Sequence, residues 1–203
     1  MPISRDQFEM VRRELSGHTS WAIWAPVGEK PKSNVGDLSM FSDESLLEGT
    51  LSRLNPNIVL AGLNGATGDT EVNHLAEPFA NFHSSWSRAQ DYKIRFATVG
   101  TALEGAFMTD VIKHHYETDS AIVLKELRKN PGYEQEKVEE FFEEIRLLSS
   151  EPKIFAFGSL AFDLINKYNS YGFEVHKLYH YAFTMSKENF REHTISTLDA
   201  ANL

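Results

Sequence analysis

Short apolar runs alternate with amphipathic segments along most of this chain. The run Asn57-Ile-Val-Leu-Ala61 carries no charge, is rich in β-formers and is bounded by turn-forming residues. Such a run predicts a strand buried on both faces, which is typical of a parallel sheet. Further strands are predicted at residues 106–113, 153–159 and 173–179, and helical apolar spacing predicts helices at residues 4–15, 42–54, 88–103, 121–129, 134–148, 160–168 and 189–198.

The alternation of strands and helices predicts an α/β fold with three layers, α/β/α, around a central four-stranded parallel sheet. With 203 residues the chain is long enough for one domain with a substantial core. We therefore expect a single domain over residues 1–203. Residues 1–54 should pack against the sheet as a helix followed by an extended segment.

A polar residue stands at or just beyond the end of each predicted strand. Asn64 follows the first strand, Asp110 lies near the end of the second, Ser159 ends the third and His180 follows the fourth. The carboxyl ends of parallel strands meet at one edge of a sheet, and open α/β sheets bind their ligands there. The sequence therefore predicts a site formed at this edge by residues that are distant along the chain.

Composition narrows the classes of function. The chain has a formal net charge of −9 and no cysteine, which excludes disulfides, thiolate metal sites and Cys nucleophiles. The acidic balance argues against a broad, non-specific surface for duplex DNA. Much of the acid lies in residues 134–146, a pattern typical of a solvated helix face. Because no apolar stretch reaches membrane-spanning length, we expect a soluble, cytoplasmic protein without a membrane partner.

Three patterns suggest cofactor or metal sites but lack the context these need. Gly65-Ala-Thr-Gly68 follows a strand, as in a dinucleotide fingerprint, yet Glu71 occupies the position of the third glycine. The Tyr and Lys of residues 133–137 have the spacing of a reductase pair but lie in the acidic helix. His114-His115 would point in divergent directions on a helix or a strand. We therefore expect no cofactor and no metal.

Two motifs follow the first predicted strand. They are Gly62-Leu63-Asn64-Gly65 and, beyond it, Glu77-Pro78-Phe79. Together they resemble the uracil-DNA glycosylase superfamily, whose mismatch-specific and single-strand-selective branches carry Gly-x-Asn-Pro-Gly after the first core strand. In those branches a Pro-Phe element follows, and its aromatic ring stacks on the extruded base.

The later strand ends continue this resemblance. Thr109-Asp110 is similar to a Thr-Asn pair of another branch, and Phe157-Gly158-Ser159 is similar to the glycine that precedes a helix after the third strand. His180-Tyr181-Ala182 stands where the superfamily has His-Pro-Ser. The similarity covers most of residues 55–198, with the motifs in the right order.

The resemblance implies a DNA glycosylase, a hydrolase that excises a nucleobase by water attack on the N-glycosidic bond. It implies that Asn64 orients the water, that His180 donates a hydrogen bond to the departing base, and that Phe79 stacks on the base. The implied partner is single-stranded or mismatched DNA, or a nucleotide. The implied site comprises the catalytic residues Asn64 and His180 and the substrate-binding residues Gly62, Leu63, Gly65, Phe79, Asp110, Ser159 and Lys187.

The chain departs from the superfamily at three of these positions. Gly65 replaces the first motif's Pro, the second motif keeps only His180, and Asp110 stands where a branch has Asn. An ionised Asp accepts hydrogen bonds but donates none, so Asp110 predicts a base that carries an amine in preference to uracil. The departures leave a second hypothesis open, in which a glycosylase-fold protein binds a nucleotide, a nucleic acid or a protein partner without cleaving anything.

Each predicted site residue also has an ordinary structural interpretation. Asn64 is a good turn-former, and His180 could simply bond to backbone at a strand end. Phe79 and Phe82 either pack in the core or stack on a flat ligand. The discriminating observation is whether Asn64, Phe79, Asp110 and His180 surround one cleft.

Overall fold

The computed structural model describes residues 3–65, 77–113, 117, 120–129 and 132–203. In this part of the chain five strands form one sheet in the order β1-β3-β2-β4-β5. Their bounds are β1 Thr19–Trp21, β2 Asn55–Asn64, β3 Ala106–Ile112, β4 Lys153–Phe157 and β5 Val175–Leu178. The α/β class is confirmed. The sheet is mixed, however, so the predicted four-stranded parallel sheet is corrected: β2 to β5 are parallel, and β1 pairs antiparallel with β3.

Strand β1 was predicted only as part of an extended segment because it is very short. Its three residues pair with β3 in the register Thr19 to Thr109 and Trp21 to Phe107, and all three are buried. A segment buried at every position shows no alternation of apolar and polar residues, so no periodic signal separates it from a loop.

Eight helices lie in the described ranges. Their bounds are α1 Arg5–Glu14, α2 Ser39–Ser42, α3 Glu44–Leu51, α4 Asp91–Thr98, α5 Ser120–Lys129, α6 Tyr133–Arg146, α7 Gly158–Tyr168 and α8 Lys187–Ala200. Helices α1, α3, α5, α6 and α7 contribute to one core cluster, and α4 and α8 contribute to the other. The sheet thus lies between two helical layers, and the order of the predicted helices is confirmed.

Strand β2 occupies the centre of the sheet, with β3 on one side and β4 on the other. Val59, Ala61 and Leu63 join one core cluster, while Ile58 and Leu60 join the other. Because side chains alternate between the faces of a strand, Gly62 and Asn64 share the face of Ile58 and Leu60, which α4 and α8 cover. The chain leaves β2 for β3 and later returns to β4 on the opposite side, so the switch point of the sheet lies at the end of β2.

Among the described residues, no helix is both long and apolar enough to cross a lipid bilayer.

Candidate active site

A buried carboxylate lies beside a glycine near the carboxyl edge of the sheet. Asp110 on β3 is 5% exposed and is the register partner of Gly62 on β2. A Cβ added to Gly62 would lie 2.2 Å from Asp110 Oδ1 and 3.1 Å from the Cζ atom of Phe82. Residue 62 must therefore lack a side chain if the carboxylate and the ring are to keep these positions. The other carboxylate oxygen, Oδ2, accepts a hydrogen bond of 2.9 Å from the Asn81 amide.

Burial raises the pKa of Asp110 to about 6. The hydrogen bond from Asn81 and the positive charges of Lys113 and His18 act in the opposite direction, and the charge of Glu144 adds to the rise. A carboxyl with this pKa is about one-tenth protonated near pH 7 and mostly protonated near pH 5. Asp110 can therefore accept hydrogen bonds at neutral pH and can also donate one in mild acid.

A buried polar network lies behind Asp110, between β3 and α6. Glu144, 6% exposed, accepts a 2.6 Å hydrogen bond from the Thr109 hydroxyl and pairs with Lys113 at 3.1 Å and with His18 Nε2 at 2.7 Å. Burial alone would raise the pKa of Glu144, but Lys113 and His18 together hold it below its usual value. Glu144 was predicted to lie on a solvated helix face, and that prediction is wrong.

The sequence did carry a signal for this burial. Glu144 stands three residues after Phe141 and next to Ile145, inside the apolar stripe of α6. A charged residue in such a stripe indicates a buried ion pair. No comparable signal marks His18, Asn81 or Lys113 as neighbours of Asp110.

Aromatic side chains adjoin Gly62 and Asp110 on the same face of the sheet. The Phe82 ring is 6.3 Å from that of Phe157 and 6.2 Å from that of Tyr181, measured between centroids, and the Phe157 and Tyr181 rings are 5.3 Å apart. Phe82 is 5% exposed, whereas Tyr181 is half-buried. Burial, and then the charges of Asp91 and Asp110, raise the pKa of Tyr181 well above its usual value, so its hydroxyl stays protonated.

Phe79 does not lie in this aromatic group. It is fully buried, and its ring centroid is 5.4 Å from that of Phe8 and 5.1 Å from that of Phe41, in the opposite core cluster. An extruded base cannot stack on a ring enclosed in this way. The stacking role predicted for Phe79 is therefore not compatible with the structure, and Phe82 is the aromatic residue of this loop that approaches the site.

His180 follows β5 and adjoins the aromatic group. Its ring stacks on Tyr181 with centroids 4.6 Å apart, and its Nδ1 accepts a 3.2 Å hydrogen bond from the Ala182 N–H. The residue as a whole is exposed, yet the protein around the ring desolvates it and lowers the pKa of His180. A neutral ring whose Nδ1 accepts carries its proton on Nε2, which can then donate to a ligand.

Gly158, the first residue after β4, lies next to the His180 side chain. Its φ is +84°, a value that suits glycine, and a Cβ added there would contact the His180 Cβ at 3.4 Å. Ser159, next along the chain, is exposed in the first turn of α7. Both residues thus follow β4 at the carboxyl edge of the sheet, but they belong to α7 and not to the predicted third strand, because β4 ends at Phe157.

Asn64 ends β2, half-buried and two residues beyond Gly62. Its amide nitrogen donates to the carbonyl oxygens of Gly65, at 3.2 Å, and Glu117, at 2.8 Å. Two backbone carbonyls thus accept hydrogen bonds from the amide group of Asn64. The side chain is held in place as a positioning role requires.

Lys187 lies elsewhere. Its ammonium is 3.9 Å from the centroid of the Phe96 ring on α4, and it lines a separate pocket with residues of α4, α8 and residues 27–31. None of Gly62, Asp110, Phe82, Tyr181 and His180 lines that pocket. Lys187 was predicted to lie at the mouth of the site at the carboxyl edge of the sheet, but these contacts place it in the separate pocket.

The structure thus joins Gly62, Asp110, Phe82, Tyr181 and His180 through successive contacts on one face, near the carboxyl edge of the sheet. We refer to these five residues as the edge site. Asn64 follows on the same strand and the same face, about 7 Å along the strand from Gly62. Gly68, Asp69 and Glu71, together with His114-His115, lie outside the described residues.

Comparisons of the chain with protein-family models, curated proteins and solved structures gave no match. In the described ranges, no cluster of three or more His, Asp or Glu side chains could hold a metal ion.

Proposed function

We propose that this protein is a glycosylase-type hydrolase that removes a nucleobase from DNA or from a nucleotide. The observation that carries the proposal is the edge site itself. A buried carboxylate, an adjacent glycine, an aromatic group and a neutral histidine with a donor nitrogen meet where open α/β sheets bind ligands. These are the groups needed to read, stack and polarise a flat heterocycle.

Asp110 is proposed to read the base. Near neutral pH the carboxyl is mostly ionised because its pKa is about 6, so it accepts from an exocyclic amine and repels a carbonyl oxygen. Gly62 lets the carboxylate and the Phe82 ring pack directly against the backbone of β2, because a side chain at residue 62 would overlap Asp110 Oδ1. The preferred base therefore carries an amino group.

Tyr181 is proposed to stack on the base in place of Phe79, with the Phe82 ring packed against it. Tyr181 is the more accessible of the two, and its hydroxyl remains a hydrogen-bond donor because its pKa is raised well above the usual value. Stacking of a base on an aromatic ring contributes about 1–3 kcal/mol, enough to help hold a base that has left its helical stack.

His180 and Asn64 are proposed to serve the bond-breaking step. The bond between the sugar C1′ and the base nitrogen breaks with its electron pair moving to the base, and a water oxygen bonds to C1′. His180 Nε2 donates a hydrogen bond to the base as negative charge develops on it, and the water's released proton neutralises the base. The Asn64 amide oxygen orients the attacking water, and the exposed Ser159 meets a substrate phosphate.

A second candidate function has one specific observation in its favour. The amide group of Asn64 donates to two backbone carbonyls, which is also what a purely structural strand-end residue would show. A protein with that arrangement would bind a base or nucleotide at the edge site without cleaving it.

Excision assays separate the two functions. Single- and double-stranded oligonucleotides carrying cytosine, adenine, uracil, hypoxanthine, xanthine or mismatches would be incubated with the protein, and released base and alkali-labile abasic sites measured. We expect release of an amino-bearing base, lowered about 10²-fold or more by Asn64→Ala. Asn166→Ala, which changes an exposed residue of α7, is the matched control. If wild type and Asn64→Ala are equally inert on every base, the binding function replaces the enzymatic one.

Base choice should also depend on Asp110. Replacing it with Asn restores a donor toward a carbonyl, so Asp110→Asn should raise excision or binding of uracil by about 10²-fold. The wild-type protein should show the same gain in mild acid, because Asp110 becomes protonated below its pKa of about 6. Unchanged uracil handling in both experiments would mean that Asp110 does not contact the base.

A further inference from the structure

A second site is built where α4 and α8 meet the loop of residues 27–31. The pocket has a volume of about 520 Å³, which is within the usual range for small-molecule sites. Four cationic side chains line it, Lys30, Arg95, Lys187 and Arg191, and Glu29 is the one carboxylate among the lining residues, so their formal charge is 4 − 1 = +3. In a chain with a net charge of −9 this is a local reversal of sign.

Arg95 is an unusual component of this pocket because it is 2% exposed. Its guanidinium donates to the carbonyl oxygen of Ser33 at 2.8 Å and to that of Pro31. Within the described part of the chain it forms no ion pair with a carboxylate, and burial lowers its pKa. A buried cation that is neutralised only by dipoles costs free energy and favours the binding of an anion nearby.

Arg191 and Lys187 bring further positive charge from α8. One terminal nitrogen of Arg191 donates to the carbonyl oxygens of Phe96, at 2.6 Å, and Val99, at 3.0 Å, at the end of α4. Its other terminal nitrogen has no hydrogen-bond partner among the residues the structure describes. The Lys187 ammonium lies on the Phe96 ring, 2.5 Å from a carboxylate oxygen of the exposed Glu188.

The rest of the lining is apolar and open to solvent. Val27 is 59% exposed, Val99 is 49% exposed and Phe96 is 36% exposed, and Tyr92 completes this surface. Exposed apolar side chains gathered in one concave place mark a binding surface. The pocket thus combines an apolar wall with a cluster of fixed cations.

We propose that this pocket binds a phosphate monoester that carries a flat apolar body. A phosphate monoester has a charge of about −1.5 to −2 near pH 7, which matches several cations better than the single charge of a carboxylate. Arg191 and Lys187 contact the phosphate, and the flat body lies against Phe96 and Tyr92. This site does not depend on the proposed glycosylase function, because none of the edge-site residues lines it.

The test is calorimetric titration of the whole chain with adenosine 5′-monophosphate and with phenyl phosphate. Adenosine and inorganic phosphate serve as probes for each half of the ligand. We expect saturable binding of both monoesters, at least about tenfold tighter than either half-ligand, and weakened about tenfold by Lys187→Gln or Arg191→Gln. Arg13→Gln on α1, which packs on the other face of the sheet, should leave the affinity unchanged.

Arg191 also bonds the end of α4, so Arg191→Gln is interpreted only where its ligand-free melting temperature matches wild type. Lys187→Gln removes a half-buried surface cation and carries the test without that concern. The proposal is overturned by a lack of saturable binding up to about 10 mM ligand, by inorganic phosphate binding as tightly as the monoesters, or by unchanged affinity in Lys187→Gln.

Discussion

Replacing Asp110 with Asn tests directly whether the edge site holds a destabilised carboxylate. In the folded protein the pKa of Asp110 is raised to about 6, against 3.8 for the free side chain. Between these values the folded state binds more protons than the unfolded state. Stability is therefore highest where the carboxyl is neutral in both states, and it is lost as the pH rises through the folded pKa.

A rise in the pKa of Asp110 from 3.8 to about 6 corresponds to a loss of about 3 kcal/mol of unfolding free energy when the pH rises from below both values to above both. Integrating the same titration between about pH 4.5 and about pH 7.5 gives a loss of about 2 kcal/mol for wild type relative to a variant that cannot ionise. For a chain of this size that is a relative change in Tm of about 4–8 °C.

The absolute effect of Asp110→Asn is less informative than its pH dependence. The variant's amide oxygen can accept the Asn81 hydrogen bond, but its NH₂ group would face Gly62, and an unpartnered buried donor costs about 1–3 kcal/mol. That cost hardly changes with pH. The quantity to measure is therefore how the stability difference between wild type and variant changes from about pH 4.5 to about pH 7.5.

Urea titrations followed by tryptophan fluorescence would supply these differences, with Tm as a second readout. Asp163→Asn, which makes the same substitution at an exposed residue of α7, is the matched control. We expect the unfolding free energy of Asp110→Asn, relative to that of wild type, to rise by about 2 kcal/mol between about pH 4.5 and about pH 7.5. A difference that stays within about 0.5 kcal/mol would refute the assignment of a desolvated carboxylate to Asp110.

Three further substitutions test neighbouring features. Gly62→Ala should lower the unfolding free energy by about 1–3 kcal/mol and weaken any base binding, because the added Cβ would overlap the Asp110 carboxylate. Stability in urea unfolding and base affinity equal to those of wild type would contradict this. Lys113→Met should lower the unfolding free energy by about 3–5 kcal/mol at neutral pH, because it leaves Glu144 buried without the lysine cation. A loss below about 1 kcal/mol in urea unfolding would show that His18 alone compensates the charge of Glu144. Gly49→Ala should raise the unfolding free energy by about 0.5–1 kcal/mol, because Gly49 lies in α3 with nothing within 4 Å of an added Cβ; a lower Tm would contradict this.

Elements with strong periodicity could be predicted from the sequence. Helix α1 begins at the expected Ser4 cap, where Ser4 and Gln7 bond reciprocally, and the apolar run at β2 forms the centre of the sheet. The four parallel strands follow from the same local patterns. Strand β1 could not be predicted in this way because its pairing with β3 is set by tertiary contacts and not by its own three residues.

The candidate site was predictable only in part. Asp110, Gly62 and His180 follow from the rule that strand ends share an edge of the sheet, which depends on topology alone. The choice between Phe79 and Phe82 does not follow from it. The two residues are three positions apart in one loop, and both adopt positive φ, at 66° and 61°, yet they enter opposite core clusters. Which ring enters which cluster is set by loop conformation, and the sequence pattern gives no sign of that.

The contrast between Asp110 and Glu144 identifies which buried acid is available for chemistry. Both are nearly inaccessible and both lie near the charge of Lys113, yet the pKa of Glu144 is lowered and that of Asp110 is raised. The difference lies in their partners, because Glu144 pairs with the charges of Lys113 and His18 and accepts from Thr109, whereas the described partner of the Asp110 carboxylate is the neutral Asn81 amide. The Glu144 carboxylate, whose hydrogen-bonding capacity is filled, connects α6 to β3 through Thr109. A carboxylate with unmet hydrogen-bonding capacity, beside a glycine and a group of packed aromatic rings, gains most from a ligand that donates a hydrogen bond to it. For that reason the edge site is the place to expect such a ligand.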